Sequence, residues 1–295
     1  MTAFKTGVHT IEFQTTSPLI TAKLPGNYRN AIRIEGGNKY RLNVAKIPCV
    51  PEYGNPSDTQ SAIEEAFAVF SDIGAGHCKT TRIDYRLDDH DGTYADNLPL
   101  MTVLVNLIAY RSGIYDRRVF YLDGNGVTTS VRCMPDDKDE LTRYGVEYYD
   151  KPRQAKSDVY GNARLELRRL NLNNESVPFV VKEWRDILQS ITKKEYLAML
   201  EEHALHLSLT RQDGEKLVKF IQRTRPKLIA GEEEKKLYDF TGKRCNHMHA
   251  NKMGLPRWKH VQPFIKNIIA QLDEALAQPQ NPTFHPNGVK NELPF

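Results

Sequence analysis

The sequence predicts an α+β fold: a mostly antiparallel sheet covered by helices, followed by an α-helical C-terminal region. Segments before about residue 171 alternate apolar and polar residues with the period of two that a half-buried strand requires, while those after residue 178 repeat at helical spacing. Turn-forming residues gather where the period changes, in Asn171-Leu172-Asn173-Asn174-Glu175-Ser176-Val177-Pro178. Two helical segments interrupt the early strands, and helices covering a mostly antiparallel sheet make an α+β domain.

Strands are expected near Val8 to Gln14, Ala31 to Glu35 and Tyr40 to Ala45. A helix follows from about Thr59 to Asp72, with Ile63, Ala66, Phe67 and Phe70 on one face. A strand from Thr80 to Asp88 leads to a second helix, Asp96 to Arg111. Next come Arg118 to Leu122 and Thr128 to Arg132, joined by a hairpin turn at Gly124-Asn125-Gly126, then Tyr144 to Lys151 and Ala163 to Leu170. The second half reads as helices at Lys182 to Gln189, Lys193 to Leu207, Gln212 to Thr224, Glu232 to Phe240 and Pro256 to Ala277, punctuated by Pro178, Pro226 and Pro256. The expected organisation is an α+β domain over 1–171 and a helical region over 178–277. A tail over 278–295 is expected to be disordered, since Gln278 to Pro286 is rich in Pro, Gln and Asn.

The hydrophobic fraction of 40%, the charged fraction of 26% and a mean hydropathy of −0.56 supply a core and a solvated surface, which excludes a wholly disordered chain. The longest near-apolar run, Leu98 to Tyr110, contains Asn106 and falls short of the roughly 20 residues of a bilayer-spanning helix. Met1-Thr2-Ala3-Phe4-Lys5 carries no signal-peptide pattern, and Cys49, Cys78, Cys133 and Cys245 show no CxxC spacing, so a reducing cytoplasm is expected. The net charge is +4, but its distribution is uneven: residues 178–295 hold 19 Lys and Arg against 14 Asp and Glu, and residues 1–177 hold 22 against 23. No GxxxxGK[ST] or GxGxxG string is present, so the sequence carries no readable nucleotide-binding loop.

Three strands place polar residues on one face. Ile83, Tyr85 and Leu87 alternate with Arg82, Asp84, Arg86 and Asp88; Ala163, Leu165 and Leu167 alternate with Arg164, Glu166 and Arg168. Val146 and Tyr148 alternate with Glu147, Tyr149 and Lys151. The plain reading is solvation of a half-exposed sheet. The sharper one is a shared site, in which carboxylates hold Mg2+ or Mn2+, a lysine and an arginine neutralise developing charge, and a tyrosine attacks phosphorus.

Arg82-Ile83-Asp84, Tyr149-Asp150-Lys151 and Arg164-Leu165-Glu166-Leu167-Arg168, in that order, resemble the replication initiation proteins of rolling-circle phages and plasmids. The nearest likeness is to the filamentous-phage gene II/gene X endonucleases and the plasmid replication initiation factor family. A fainter likeness runs from Leu24-Pro25 to Gly54-Asn55-Pro56, so the resemblance spans residues 24 to 170. It implies a metal-dependent, strand-specific DNA nickase over 1–171 that joins itself to a 5′ end through a tyrosine, leaving a 3′-OH for a polymerase. Carried over by position, Tyr149 matches the nucleophile and Lys151 its partner, Asp84 and Glu166 the metal-holding carboxylates, and Arg82, Arg164 and Arg168 phosphate contacts. Tyr148 sits beside Tyr149 and leaves the nucleophile open between them, with alternation favouring Tyr149. The implied partners are origin DNA, a host helicase and a host polymerase, with no membrane and with a homodimer possible.

Lys243, Arg244, Lys252, Arg257 and Lys259 form the best basic patch, against a plain solvated helix face. Cys245, His247 and His249 read as a surface cluster, His203 and His206 as exposed polar residues, and Trp184 and Trp258 as helix anchors. His77-Cys78 has no readable role. Two rivals stay open: a non-catalytic DNA-binding regulator, and a related tyrosine relaxase of a mobile element.

Overall fold

The protein is described from a computed structural model, which covers residues 4–47, 50, 53–114, 118–122, 128–134, 143–155, 163–246 and 254–279. Its strands are β1 (Phe4–Thr15), β2 (Ile32–Gly36), β3 (Lys39–Asn43), β4 (Cys78–Asp89), β5 (Arg118–Leu122), β6 (Thr128–Cys133), β7 (Tyr144–Tyr149) and β8 (Ala163–Arg169). They form one sheet in the order β2-β3-β1-β4-β8-β7-β6-β5. The β1–β3, β2–β3, β5–β6 and β6–β7 pairs are antiparallel. The helices are α1 (Gly26–Arg29), α2 (Pro56–Phe70), α3 (Tyr94–Ser112), α4 (Lys151–Ala155), α5 (Val177–Gln189), α6 (Lys193–Leu207), α7 (Arg211–Ala230), α8 (Glu234–Arg244) and α9 (Trp258–Ala277). The α+β class expected from the sequence is the class observed.

Contacts divide the chain into two compact units, each assembled from separated segments. One unit comprises Lys5–Leu87, Leu167–Arg185 and Gln271–Phe295. Its core centres on Phe13 of β1, whose ring lies 5.5 Å from Tyr40, 5.0 Å from Phe67 and 5.5 Å from Phe70. The last two come from α2, which presents that apolar face because its residues recur at helical spacing. Asn55 starts α2 by accepting the Asp58 N–H at 2.7 Å, and Pro56 fits the first turn, where no N–H is needed. Past α2, Gly76 stands at φ 71° with Thr16 so close that an added Cβ would lie 2.2 Å from its hydroxyl, so the turn into β4 requires glycine twice over. The turn-rich stretch after β8 is tied to β4: Leu172 N–H donates to Thr81 O at 2.9 Å and Asn174 N–H to Thr80 O at 3.3 Å. Asn171 and Asn174 take left-handed backbone there, at φ 52° and 72°, a conformation asparagine tolerates.

The other unit comprises Met1–Phe4, Asp88–Glu166 and Asp186–Ala270. Asp89 at the end of β4 accepts the backbone N–H groups of Asp91 and Gly92 and the Asn97 amide, which turns the chain into α3. A capping box between Thr93 and Asp96 starts that helix. Its middle, Met101 to Ala109, is buried throughout, since α3 has β6 and β7 against it and α6 as a further neighbour. In α7, Gly214, Leu217, Ile221, Thr224 and Leu228 form the buried face. Gly214 allows α7 to approach α6: a Cβ there would lie 3.0 Å from Leu205 Cα and 3.1 Å from Ala204 O.

Several expectations are corrected. Pro226 lies inside α7 on its exposed side, where solvent can take the carbonyl its ring leaves open, so it does not end the helix. Pro178 is the second residue of α5, so that helix starts earlier than Lys182. His203 is buried at 2% exposure with its ring 6.3 Å from Tyr110, because the α6 face bearing it is packed and not wet. Cys245 is also buried, in a bridge to Ser208, and burial pushes its thiol up to about 12. His247, His249, the side chain of His206, the turn at 124–126 and residues 280–295 lie outside the described residues. Trp184 and Trp258 are core anchors, with Trp258 5.6 Å from the Tyr196 ring.

Gly214→Val should destabilise the protein by about 1–3 kcal/mol, because backbone of α6 occupies the space its side chain needs. Urea unfolding checks this; an unchanged midpoint would contradict the close helix approach.

Candidate active site

Alternation aims successive side chains of β7 to opposite faces, and the register with β6 shows which residues share each one. Tyr148 lies opposite Val131 and Val146 opposite Cys133, all four fully buried. Tyr148 stacks on Tyr94 of α3 at 4.9 Å and donates its hydroxyl to the Tyr94 carbonyl at 3.1 Å. Its hydroxyl is thereby committed to the core.

The opposite face pairs Tyr149 with Ser130 and Glu147 with Arg132. Tyr149 Oη donates to Glu166 Oε1 of β8 at 2.6 Å, the length of a charge-assisted hydrogen bond. Glu147 accepts from the Ser130 hydroxyl at 3.0 Å. Lys151, at the start of α4, sets its Nζ 5.7 Å from the centre of the Tyr149 ring. Thr129, Ser130, Arg132, Glu147, Tyr149, Asp150 and Arg153 line a cleft of about 340 Å3. Two of the three motifs therefore meet at the Tyr149 hydroxyl, beside an open cleft.

Arg164 stands behind this pair. Its Nε and Nη2 hold the two oxygens of Asp88 at 2.5 and 2.7 Å, a bidentate fork that leaves both side chains almost fully buried. Its remaining Nη1 is buried without a hydrogen-bond acceptor and lies 3.9 Å from Glu166 Oε1, the oxygen that also receives the Tyr149 hydroxyl. Burial first, then the Glu166 carboxylate, push the Tyr149 phenol far above its ordinary value, while the Arg164 charge pulls it back. At neutral pH the phenol keeps its proton and Glu166 is positioned to receive it.

In the other unit, Arg82 forks onto both oxygens of Asp84 at 2.7 Å and reaches Glu12 at 2.7 Å. Arg168 lies 4.0 Å from Asp84. This second contact joins the first motif to the third. Arg86 stacks its guanidinium 4.7 Å from the Tyr53 ring.

The strand faces expected to be solvated are therefore corrected. Asp84, Asp88, Arg164 and Glu166 are each 3% exposed or less, because guanidinium–carboxylate pairing compensates charges that water would otherwise hold, and Arg86, equally buried, lies against the Tyr53 ring. Both Asp84 oxygens are occupied by Arg82, Glu166 Oε1 is occupied by Tyr149, and among the described residues no three ligating side chains group together.

The basic patch is partly engaged within the protein. Arg244 pairs with Asp213 at 3.1 Å, and Arg257 lies 5.8 Å from the Tyr238 ring, while Lys243 and Lys259 are exposed. His77 is exposed and Cys78 buried. Sequence reasoning missed Arg132, Arg153, Ser130 and the pairing role of Asp88. Only Asp88 had stood in an alternating polar series, and it lies outside the motif.

The buried phenols give a pH prediction. Tyr85, Tyr94, Tyr148, Tyr149 and Tyr196 all have folded values raised by burial, Tyr85 to about 12. A raised folded value means the stabilisation is complete below the unfolded phenol value of about 10 and is lost as pH rises above it. In an alkaline titration followed by tyrosinate absorbance, these tyrosines should ionise only as the protein unfolds; early ionisation of all 14 tyrosines would contradict the burial.

No family model matches the chain, and no curated protein matches it. Among solved structures it is similar to a rolling circle replication initiator protein from Geobacillus stearothermophilus, at 12% identity and a TM-score of 0.34, over 68% of this chain and 85% of that one.

Proposed function

We propose that the protein is a replication initiator of the rolling-circle type that nicks and rejoins DNA through a covalent link to Tyr149. The observation that supports this reading best is the hydrogen bond from Tyr149 Oη to Glu166 Oε1 at the edge of an arginine-bearing cleft. A tyrosine nucleophile needs an acceptor for its proton and cationic donors for the phosphate under attack. Glu166 is the acceptor, and Arg132, Arg153 and Lys151 supply positive charge around the ring and the cleft.

In the forward step the Tyr149 oxygen bonds to the phosphorus of a DNA phosphodiester while its proton passes to Glu166 Oε1. The bond from phosphorus to the 3′ oxygen breaks, and that oxygen takes up a proton from solvent to become a free 3′-OH. The protein is left joined to the 5′ phosphate. Attack of a 3′-OH on this phosphotyrosine, with the 3′-OH proton released to solvent and the Glu166 proton returned to the departing Tyr149 oxygen, rejoins the strand. Arg164 holds a fixed positive charge behind Glu166 throughout, anchored by Asp88. Arg164 is almost fully buried, whereas Arg82 and Arg168, the other arginines of the motifs, are partly exposed.

A divalent cation, Mg2+ or Mn2+, belongs to this reading through the sequence resemblance, and no step above is routed through it. Origin DNA is the substrate; the proposed host helicase and polymerase would use the 3′-OH. One observation favours the rival reading, a non-catalytic DNA-binding regulator: Tyr149 is only 4% exposed, so the cleft must admit a phosphate to a largely covered hydroxyl.

Incubation with single-stranded and supercoiled DNA of its own replicon and Mg2+ or Mn2+, followed by denaturing electrophoresis, tests the proposal. The wild type should give a DNA-linked band, Tyr149→Phe none, and Glu166→Gln a rate lower by about 10²–10⁴-fold, as for loss of a general base. Tyr148→Phe should keep the band and lose about 1 kcal/mol of stability with its hydrogen bond to Tyr94. A chelator should abolish the band if the cation is required. Sequence-specific binding with no adduct on a verified origin would replace the proposal by the regulator.

A further inference from the structure

Helix α7 carries a second cationic feature, separate from Tyr149 and from the patch at 243–259. Its buried residues Leu217, Ile221 and Leu228 face inward, and the outer side bears Lys216, Lys219, Arg223 and Lys227, all exposed. Spacings of three, four and four residues set these four on one stripe of the helix. At 1.5 Å per residue the stripe is about 17 Å long. The exposed acid within the helix, Glu215, is occupied by Arg211 at 3.1 Å; past its end Glu233 pairs with Lys236 at 2.6 Å and also feels the charges of Lys227 and Arg223, and Glu232 is exposed, so the compensation that exists lies at the C-terminal end of the row. A solvated helix ordinarily mixes both signs so that neighbouring charges compensate; a stripe of one sign repels itself and is relieved by an anionic partner.

We infer that the outer face of α7 is a docking surface for the phosphate backbone of nucleic acid, held by Lys216, Lys219, Arg223 and Lys227. A straight row of cations over this length complements a row of phosphates, which carry one charge per about 1.7 Å of duplex axis. The stripe holds no exposed aromatic or amide-rich cluster for reading bases, so its grip is independent of sequence. This inference deepens the replication reading and rests on it for the choice of nucleic acid over other anions. On that reading α7 holds DNA non-specifically while the Tyr149 cleft acts.

The test uses the full chain with Lys216, Lys219, Arg223 and Lys227 all changed to Gln. Its control carries Gln at Lys23, Lys39, Lys46 and Lys182, four exposed cations elsewhere, so that net charge is matched. Binding to duplexes of origin and of scrambled sequence is followed by fluorescence anisotropy over a salt series. The α7 variant should lose about tenfold or more in affinity for both duplexes alike, with a log–log salt slope shallower by about 2–4. The control should bind as the wild type does. Equal loss in both variants, or an unchanged slope in the α7 variant, would overturn the inference. So would unchanged DNA binding with lost binding to vesicles of phosphatidylserine and phosphatidylcholine, which would point to a membrane surface. Adduct formation is scored separately: if the α7 variant loses DNA binding while even the wild type forms no adduct, the surface stands and the Tyr149 mechanism falls.

Discussion

The fork between Arg164 and Asp88 fixes the geometry on which the candidate site depends. A guanidinium held at 2.5 and 2.7 Å by both oxygens of one carboxylate cannot rotate, so its third nitrogen is held facing Glu166. Glu166 in turn meets the Tyr149 hydroxyl. The chain of contacts from Asp88 through Arg164 and Glu166 to Tyr149 crosses three strands, and every member but the last is charged. Burying such a series is costly unless each charge has a partner, which is why the pairings are short and why the strands must keep this register.

Much of the sheet was legible because strand alternation is a strong signal, and all eight expected strands are present within a few residues of the expected ends. The helices were legible in place and less so in extent. Thr93 and Asn55 set starts two or three residues before the apolar periodicity begins, since a cap is read from one polar side chain and not from a period. Pro226 misled for a related reason: proline on the wet side of a long amphipathic helix costs less than proline facing its core.

The site was legible in part. Alternation correctly separates Tyr148 from Tyr149, and it groups Arg164 with Glu166. It cannot say which face of a strand is wet, so the polar side of β4 and β8 looked solvated when it is covered. It also cannot reveal strand pairing. Arg132 and Ser130 enter the cleft only because β6 lies beside β7 in a register that sets them opposite Glu147 and Tyr149. Asp88 stood among the alternating polar residues, but nothing local distinguishes a carboxylate that clamps an arginine from one that meets water.

A buried ion pair is a poor way to stabilise a protein, because well-packed apolar residues of the same volume often do as well or better. The Asp88–Arg164 pair is therefore weak grounds for stability and better grounds for something apolar residues cannot supply. What it supplies is a fixed charge with one donor left over, 3.9 Å from the oxygen that binds a tyrosine hydroxyl. A donor buried without an acceptor is unfavourable in the resting state. When the phenol gives its proton to Glu166 the pair keeps one negative charge, which moves from the carboxylate to the phenolate, and the fixed Arg164 charge acts on both positions. The pair thus fixes a cation beside the two groups between which the proposed proton transfer runs, a role that apolar residues of the same volume could not take.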